Sequence, residues 1–216
     1  MMVLFNFNGQ AHLLKSIFKP LIMVWVAVYF VVNLTDRYHP VVIPALLAFF
    51  FSWIGDIALL FSGSHFFLSG LSSFLVSHLF YILLFQKTED NRNGSLLRKR
   101  PFWIVPFVLY GAFLLWVILP LVGVSLKVAI LLYTITILTM AATALNRKGR
   151  VPWNSYVLVL AGALLFVTSD SLIAINRFAF KIPWSGFWVM STYMAAQLLI
   201  MFGLLLQVNQ KSIGGK

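Results

Sequence analysis

The chain has 216 residues, 61% of them hydrophobic and 10% charged, and it contains no cysteine. A soluble domain carries roughly 25% charged residues, so this balance excludes a soluble enzyme, a disordered chain and a single-pass anchor, while the missing cysteines exclude disulfides, thiolate metal sites and cysteine nucleophiles. The formal net charge of +11 comes mostly from basic residues between apolar runs, which points to membrane topology rather than to nucleic acid.

Residues 1–18 place Asn6, Asn8, Gln10, His12 and Lys15 among apolar positions. That stretch is too polar and too short for a span, and no positive charge precedes an apolar core as in a signal peptide; it predicts an interfacial segment. Seven apolar segments follow, at 19–35, 40–62, 66–86, 101–119, 122–145, 154–176 and 184–208. Most reach the roughly 20 residues that a helix needs to cross a bilayer, and their continuity without alternation excludes strands. The expectation is an all-α, polytopic transmembrane helix bundle of seven spans, eight if the N-terminal segment inserts. Residues 19–208 then form one membrane domain and 209–216 a cytoplasmic tail.

Seven crossings sort the 16 basic residues five against eleven. Lys15, Lys19, Lys127, Arg177 and Lys181 fall on one side; the basic links around Arg98, Lys99 and Arg100 and around Arg147, Lys148 and Arg150 fall on the other. The positive-inside rule places the carboxyl terminus in the cytoplasm.

Along the spans, polar residues are few enough to take one by one. The first segment opens on Lys19-Pro20, where a lysine snorkels to the surface or meets a phosphate at the outer mouth. The second carries Asp56 in Ser-Trp-Ile-Gly-Asp and the sixth Asp170 in Thr-Ser-Asp-Ser. A carboxylate at the bilayer centre costs roughly 2.5–3.5 kcal/mol on insertion scales, so each is a candidate functional group. Both lie about 16 residues into spans that run in the same direction, roughly 24 Å along the axis at 1.5 Å per residue, so their carboxyls are expected at one depth, coupled and sharing a proton. The plain alternative is polar glue between helices. In the third segment His78 and Tyr81 share a face, beside a stripe of Ser69, Ser73 and Ser77. Tyr193 and Gln197 share a face of the seventh. No Gly-rich phosphate loop, HExxH, histidine cluster or G-x-S-x-G elbow occurs, so no metal or organic cofactor is expected.

Five motifs in order, Lys19-Pro20-Leu21, Ser52-Trp53-Ile54-Gly55-Asp56, Ser77-His78-Leu79-Phe80-Tyr81, Gly162 to Ser171, and Tyr193-Met194-Ala195-Ala196-Gln197, resemble the signatures of the YhhN-like lysoplasmalogenases. The resemblance covers about residues 15–207. It implies cleavage of the vinyl ether bond of an alkenyl lysophospholipid to a fatty aldehyde and glycerophospho-ethanolamine or glycerophospho-choline. In that reading Asp56 and Asp170 form an acid and base pair, in either order. His78, Tyr81, Tyr193 and Gln197 orient water and glycerol oxygens, and Lys19 meets the phosphate. The expected partners are the lysophospholipid and the bilayer, with no nucleic acid, and the expected location is a bacterial inner membrane. A proton-coupled carrier would also use intramembrane acids. The two aspartate segments run in parallel, however, and do not form the inverted repeat common among carriers.

Overall fold

The computed structural model describes residues 7–87 and 96–214, the side chains of 7–19, 125 and 211–214 excepted. Among the described residues there is no strand. The helices are α1 (Phe7–Val32), α2 (Val42–Ala58), α3 (Ser64–Gln86), the single-turn α4 (Leu96–Lys99), α5 (Val105–Ile118), α6 (Val124–Leu145), α7 (Trp153–Ala174) and α8 (Ser185–Gly214). Stretches 64–86, 101–121, 126–145, 153–179 and 185–210 are long and apolar enough to cross a membrane, and 20–32 and 42–58 are shorter apolar helices. This is an integral, multi-pass membrane protein. α1 runs from Phe7 through Pro20 to Val32, and residues 1–6 of the predicted interfacial segment lie outside the described residues.

Proline sets several of the breaks. Pro101 and Pro106 stand in the first turns of a short 3-10 helix and of α5, where the missing N–H is not needed. A 3-10 turn at Leu119–Leu121 followed by extended Val122 separates α5 from α6, and Pro152 caps α7.

Contacts between loops sort the connections into two ends. At one, Asn209 accepts from Thr35 through its Oδ1 and donates to the Asn33 carbonyl at 2.9 Å, while the Leu97 amide donates to Asn146 at 2.9 Å. Here too Arg147 is buried outside the spans, donating to Gln207 at 2.6 Å and Ser155 at 3.1 Å and lying 5.4 Å from the Phe85 ring. Burial pushes its guanidinium down to about 9, so it stays charged at neutral pH and holds α6, α7 and α8 together. The α2–α3, α5–α6 and α7–α8 connections form the other end, which has far fewer basic residues.

The most extensive helix pair is α7 on α8, and glycine permits it. A Cβ on Gly162 would lie 2.8 Å from the Ala196 carbonyl oxygen and 3.0 Å from the Ile200 nitrogen; one on Gly203 would lie 3.0 Å from the Ser155 oxygen. Close backbone approach of this kind replaces the hydrophobic drive that lipid removes. Gly162→Leu is therefore expected to destabilise the fold by about 1–3 kcal/mol or more through overpacking against backbone that cannot give way. Gly123→Ala, at a position with nothing within 4 Å, is expected to leave stability unchanged; thermal unfolding in detergent compares the two.

At the periphery, α5 buries only Gly111 and Ile118 and turns Leu109, Phe113 and Trp116 outward. Its apolar exterior is a lipid-facing surface. The core lies between α1, α2, α3, α6, α7 and α8, around Phe30, Phe49, Tyr81, Phe85, Phe166 and Met140.

Candidate functional site

Asp56 comes from the last turn of α2 and is buried. Its Oδ2 accepts a hydrogen bond from the Tyr193 hydroxyl of α8 at 2.8 Å. From Tyr193 a polar network continues inward. Gln197, one turn further along α8, donates through Nε2 to Tyr193 at 3.4 Å and to Ser52 at 3.1 Å, and accepts from the Tyr81 hydroxyl of α3 at 2.5 Å. Ser77 donates to the Ala48 carbonyl at 2.8 Å, which leaves Ser52 as the donor in its 2.8 Å bond with Ser77. Each member is almost wholly buried, and a buried polar group is stable only when so partnered. The spacing explains the geometry: Ser52 and Asp56, Ser77 and Tyr81, and Tyr193 and Gln197 are each four residues apart, stacked on one helix face.

Asp170 belongs to a second group. It comes from α7, and its Oδ2 accepts a hydrogen bond from the Tyr133 hydroxyl of α6. His78 Nε2 approaches the same oxygen at 3.9 Å. The His78 ring is fully buried, edge-on to Phe166 at 4.8 Å and to Tyr133 at 5.3 Å, and neither ring nitrogen has a hydrogen-bond partner among the described residues. Phe166 joins the two groups, since its ring also meets Tyr193 at 5.4 Å and Tyr81 at 6.3 Å.

The two aspartates differ in access. Asp170 stands on the wall of a cleft that opens to the exterior, with about 700 Å³ of empty space counted out into open solvent. Apart from Asp170, Tyr133, Tyr110, Thr134 and Ser171, its lining is apolar, with Leu59, Phe67, Phe74, Ile118, Ile130 and Phe178 among its residues. The Tyr110 hydroxyl of α5 donates to Ser171 at 2.8 Å and fixes that peripheral helix over the cleft. Asp56 is not part of the lining. The arrangement is an acid held by a phenol at the side of an apolar slot, with a second carboxyl in a buried network adjoining it.

The structure thus brings Asp56, Tyr81, Tyr193 and Gln197 into one hydrogen-bonded network and Asp170 and His78 into a neighbouring group. The Lys19 side chain lies outside the described residues. Of the predicted serine stripe only Ser77 is buried: Ser69 is exposed and accepts a bond from Ser73 at its own carbonyl. Beside Ser77, the α2–α3 interface is made by Gly55, Gly70 and Phe74, because a glycine admits the ring and a neighbouring backbone more closely than serine does. Sequence reasoning missed Tyr133. A tyrosine within the apolar run Ile130 to Leu138 was the available signal, since a buried phenol seeks a partner.

Comparison with known proteins adds three findings. The model of the YhhN family matches residues 14–204. The chain is 31% identical over 167 residues to a Homo sapiens protein named lysoplasmalogenase TMEM86A, a match covering 75% of this chain and 65% of that one. It is 34% identical over 149 residues to Sus scrofa lysoplasmalogenase TMEM86B, covering 69% and 58%. The matched stretch spans less than two thirds of these relatives' own length. No solved structure matches the chain.

Proposed function

The chain belongs to the YhhN family, and from that premise and the geometry around Asp170 we propose that it is a lysoplasmalogenase-like ether hydrolase. Its substrate is an alkenyl lysophospholipid, whose vinyl ether it hydrolyses within the membrane. The observation that carries this reading is the Asp170 carboxyl on the wall of an apolar cleft, bonded by the Tyr133 hydroxyl. The names of its relatives support the same reading.

The chemistry asks for one positioned acid. With Oδ2 held by Tyr133, Asp170 carries the proton on Oδ1 and delivers it to the alkene carbon remote from the ether oxygen. The carbon–carbon π bond supplies the electron pair, and an oxocarbenium ion forms. Water then adds to the cationic carbon and returns a proton to the Asp170 carboxylate, giving a hemiacetal. Its carbon–oxygen bond breaks as its hydroxyl proton passes to the glycerol oxygen, so one water is consumed and a fatty aldehyde and a glycerophospho compound are released. An acid in the correct protonation state contributes typically 10²–10⁴-fold.

Asp56 supplies the second carboxyl. Fixed by Tyr193 and not lining the cleft, it acts through charge and through the network that orients Tyr81, Tyr193 and Gln197. A preorganised negative charge in a dry site favours the developing cation. His78, against both Tyr133 and Asp170, positions the phenol and the carboxyl. The alkenyl chain lies along the apolar lining under α5. The basic excess at one end of the bundle supports placing the carboxyl terminus in the cytoplasm.

Mass-spectrometric detection of fatty aldehyde tests the reading, with purified protein given alkenyl lysophosphatidylethanolamine or its saturated alkyl ether analogue. Aldehyde from the alkenyl lipid alone is the expected result, and none from folded protein sinks the proposal. Tyr133→Phe keeps the ring against His78 but withdraws the hydroxyl from Asp170. A hydrogen bond to a charged group is worth about 1.5–3 kcal/mol, so kcat is expected to fall roughly 10- to 100-fold, measured by aldehyde release.

A further inference from the structure

We propose that Arg177, on the π-helical turn ending α7, binds the phosphate of the lipid whose chain occupies the Asp170 cleft; the assignment rests on the function proposed above. Arg177 follows Asp170 by seven residues, about two helical turns or roughly 10 Å along the axis. Its guanidinium carbon stands 3.9 Å over the centroid of Phe67 and 5.9 Å from that of Phe178, and both rings line the cleft. The charge is therefore placed on the rim of the same slot whose wall carries the acid.

Three features suit this residue to an anion. The guanidinium carbon is held over the face of Phe67, and a planar guanidinium fork matches phosphate oxygens in pairs. Arg177 is exposed, and no carboxylate among the described residues reaches it within ion-pair distance. The turn that presents it is held in place: Ile175–Ala179 is wound as a π-helix, the Phe180 amide donates to the Ile175 carbonyl at 3.1 Å, and the Ile182 amide donates to Asn176 at 2.9 Å. Single π turns of this kind concentrate at functional positions.

The level is also right. Phe180, Trp184, Phe187 and Trp188 project outward from this end of the bundle, and such aromatic belts sit at the lipid headgroups. Between ether oxygen and phosphate ester a lysolipid has only the three glycerol carbons, so the Asp170 and Arg177 side chains together bridge the remainder.

Binding tests the assignment without turnover. Purified protein in detergent is titrated with a saturated alkyl ether lysophosphatidylcholine and, separately, with the alkylglycerol of the same chain, for wild type, Arg177→Gln and Arg177→Lys. The expected result is a 10- to 100-fold weaker Kd for the phospholipid in Arg177→Gln, partial recovery in Arg177→Lys, and alkylglycerol binding within twofold throughout. Equal loss for both ligands would make Arg177 a packing residue of the turn and overturn the assignment, as would no loss for either. Inorganic phosphate separates the sources. If it displaces the phospholipid only at far higher concentration, the headgroup is supported; if it competes at equal concentration, the lipid assignment gives way to a free phosphate. A protein that binds both lipids in this pattern yet releases no aldehyde from the alkenyl substrate fails as a hydrolase and leaves Arg177 as a lipid-phosphate site.

Discussion

Asp170→Asn is expected to lower kcat for alkenyl lysophosphatidylethanolamine by about 10²- to 10⁴-fold, the range that a positioned general acid contributes, with little change in KM. The substitution is nearly isosteric, and the amide oxygen still accepts the Tyr133 hydroxyl that Oδ2 of Asp170 accepts now, so the cleft and its lining persist. What disappears is the one carboxyl that lines the cleft among the described residues. An amide cannot transfer a proton to carbon at neutral pH. Steady-state aldehyde release together with binding of the saturated alkyl analogue separates the two parameters. Full turnover in a folded Asp170→Asn protein would remove the acid from the mechanism.

Asp56→Asn is expected to lower kcat by about 10²- to 10³-fold, as loss of one preorganised electrostatic group does elsewhere, again with KM held. Asparagine retains an acceptor for Tyr193 but removes the charge, so the network through Gln197, Ser52 and Ser77 survives. Asp56→Ala differs in kind. It strands the Tyr193 hydroxyl in the core, at about 1–3 kcal/mol for an unsatisfied buried group, and is expected to lower the unfolding temperature as well as the rate. If both aspartates serve one transition state, Asp56→Asn with Asp170→Asn together costs scarcely more than Asp170→Asn alone, since groups acting as a unit are not additive. Multiplying losses in the double variant would instead assign them to separate steps.

Much of this site was legible in the linear chain because membranes make polar residues conspicuous. Asp56 and Asp170 were the only acids inside apolar runs, and their price in hydrocarbon marked them without any knowledge of neighbours. Pairs such as Tyr193 and Gln197 were found by helical spacing, which is a local property. The partners of those residues were another matter. The expectation of two coupled aspartates came from matched depth; what the structure adds is a tyrosine partner for each, Tyr193 for Asp56 and Tyr133 for Asp170. Depth is set by the count of residues from the membrane surface, whereas partnership depends on helix rotation and neighbour order. Ser69 and Ser73 show the same limit, for small residues at helical spacing can face outward and bond to their own backbone.

The sequence by itself determined a multi-pass helical membrane protein, the approximate limits of its apolar segments, the unequal basic charge of its two ends and the identity of its intramembrane acids. Each follows from residue-by-residue transfer energies and from the need to close every backbone hydrogen bond within lipid. Only the tertiary structure decided that α1 continues through Pro20, that Asp170 lines a cleft while Asp56 does not, that Tyr133 holds the one and Tyr193 the other, and that Arg177 lies over Phe67 at the rim. Those facts depend on which helix faces meet. That choice is made by close contacts such as Gly162 against the backbone of α8, between residues far apart in the chain, and no local pattern encodes it.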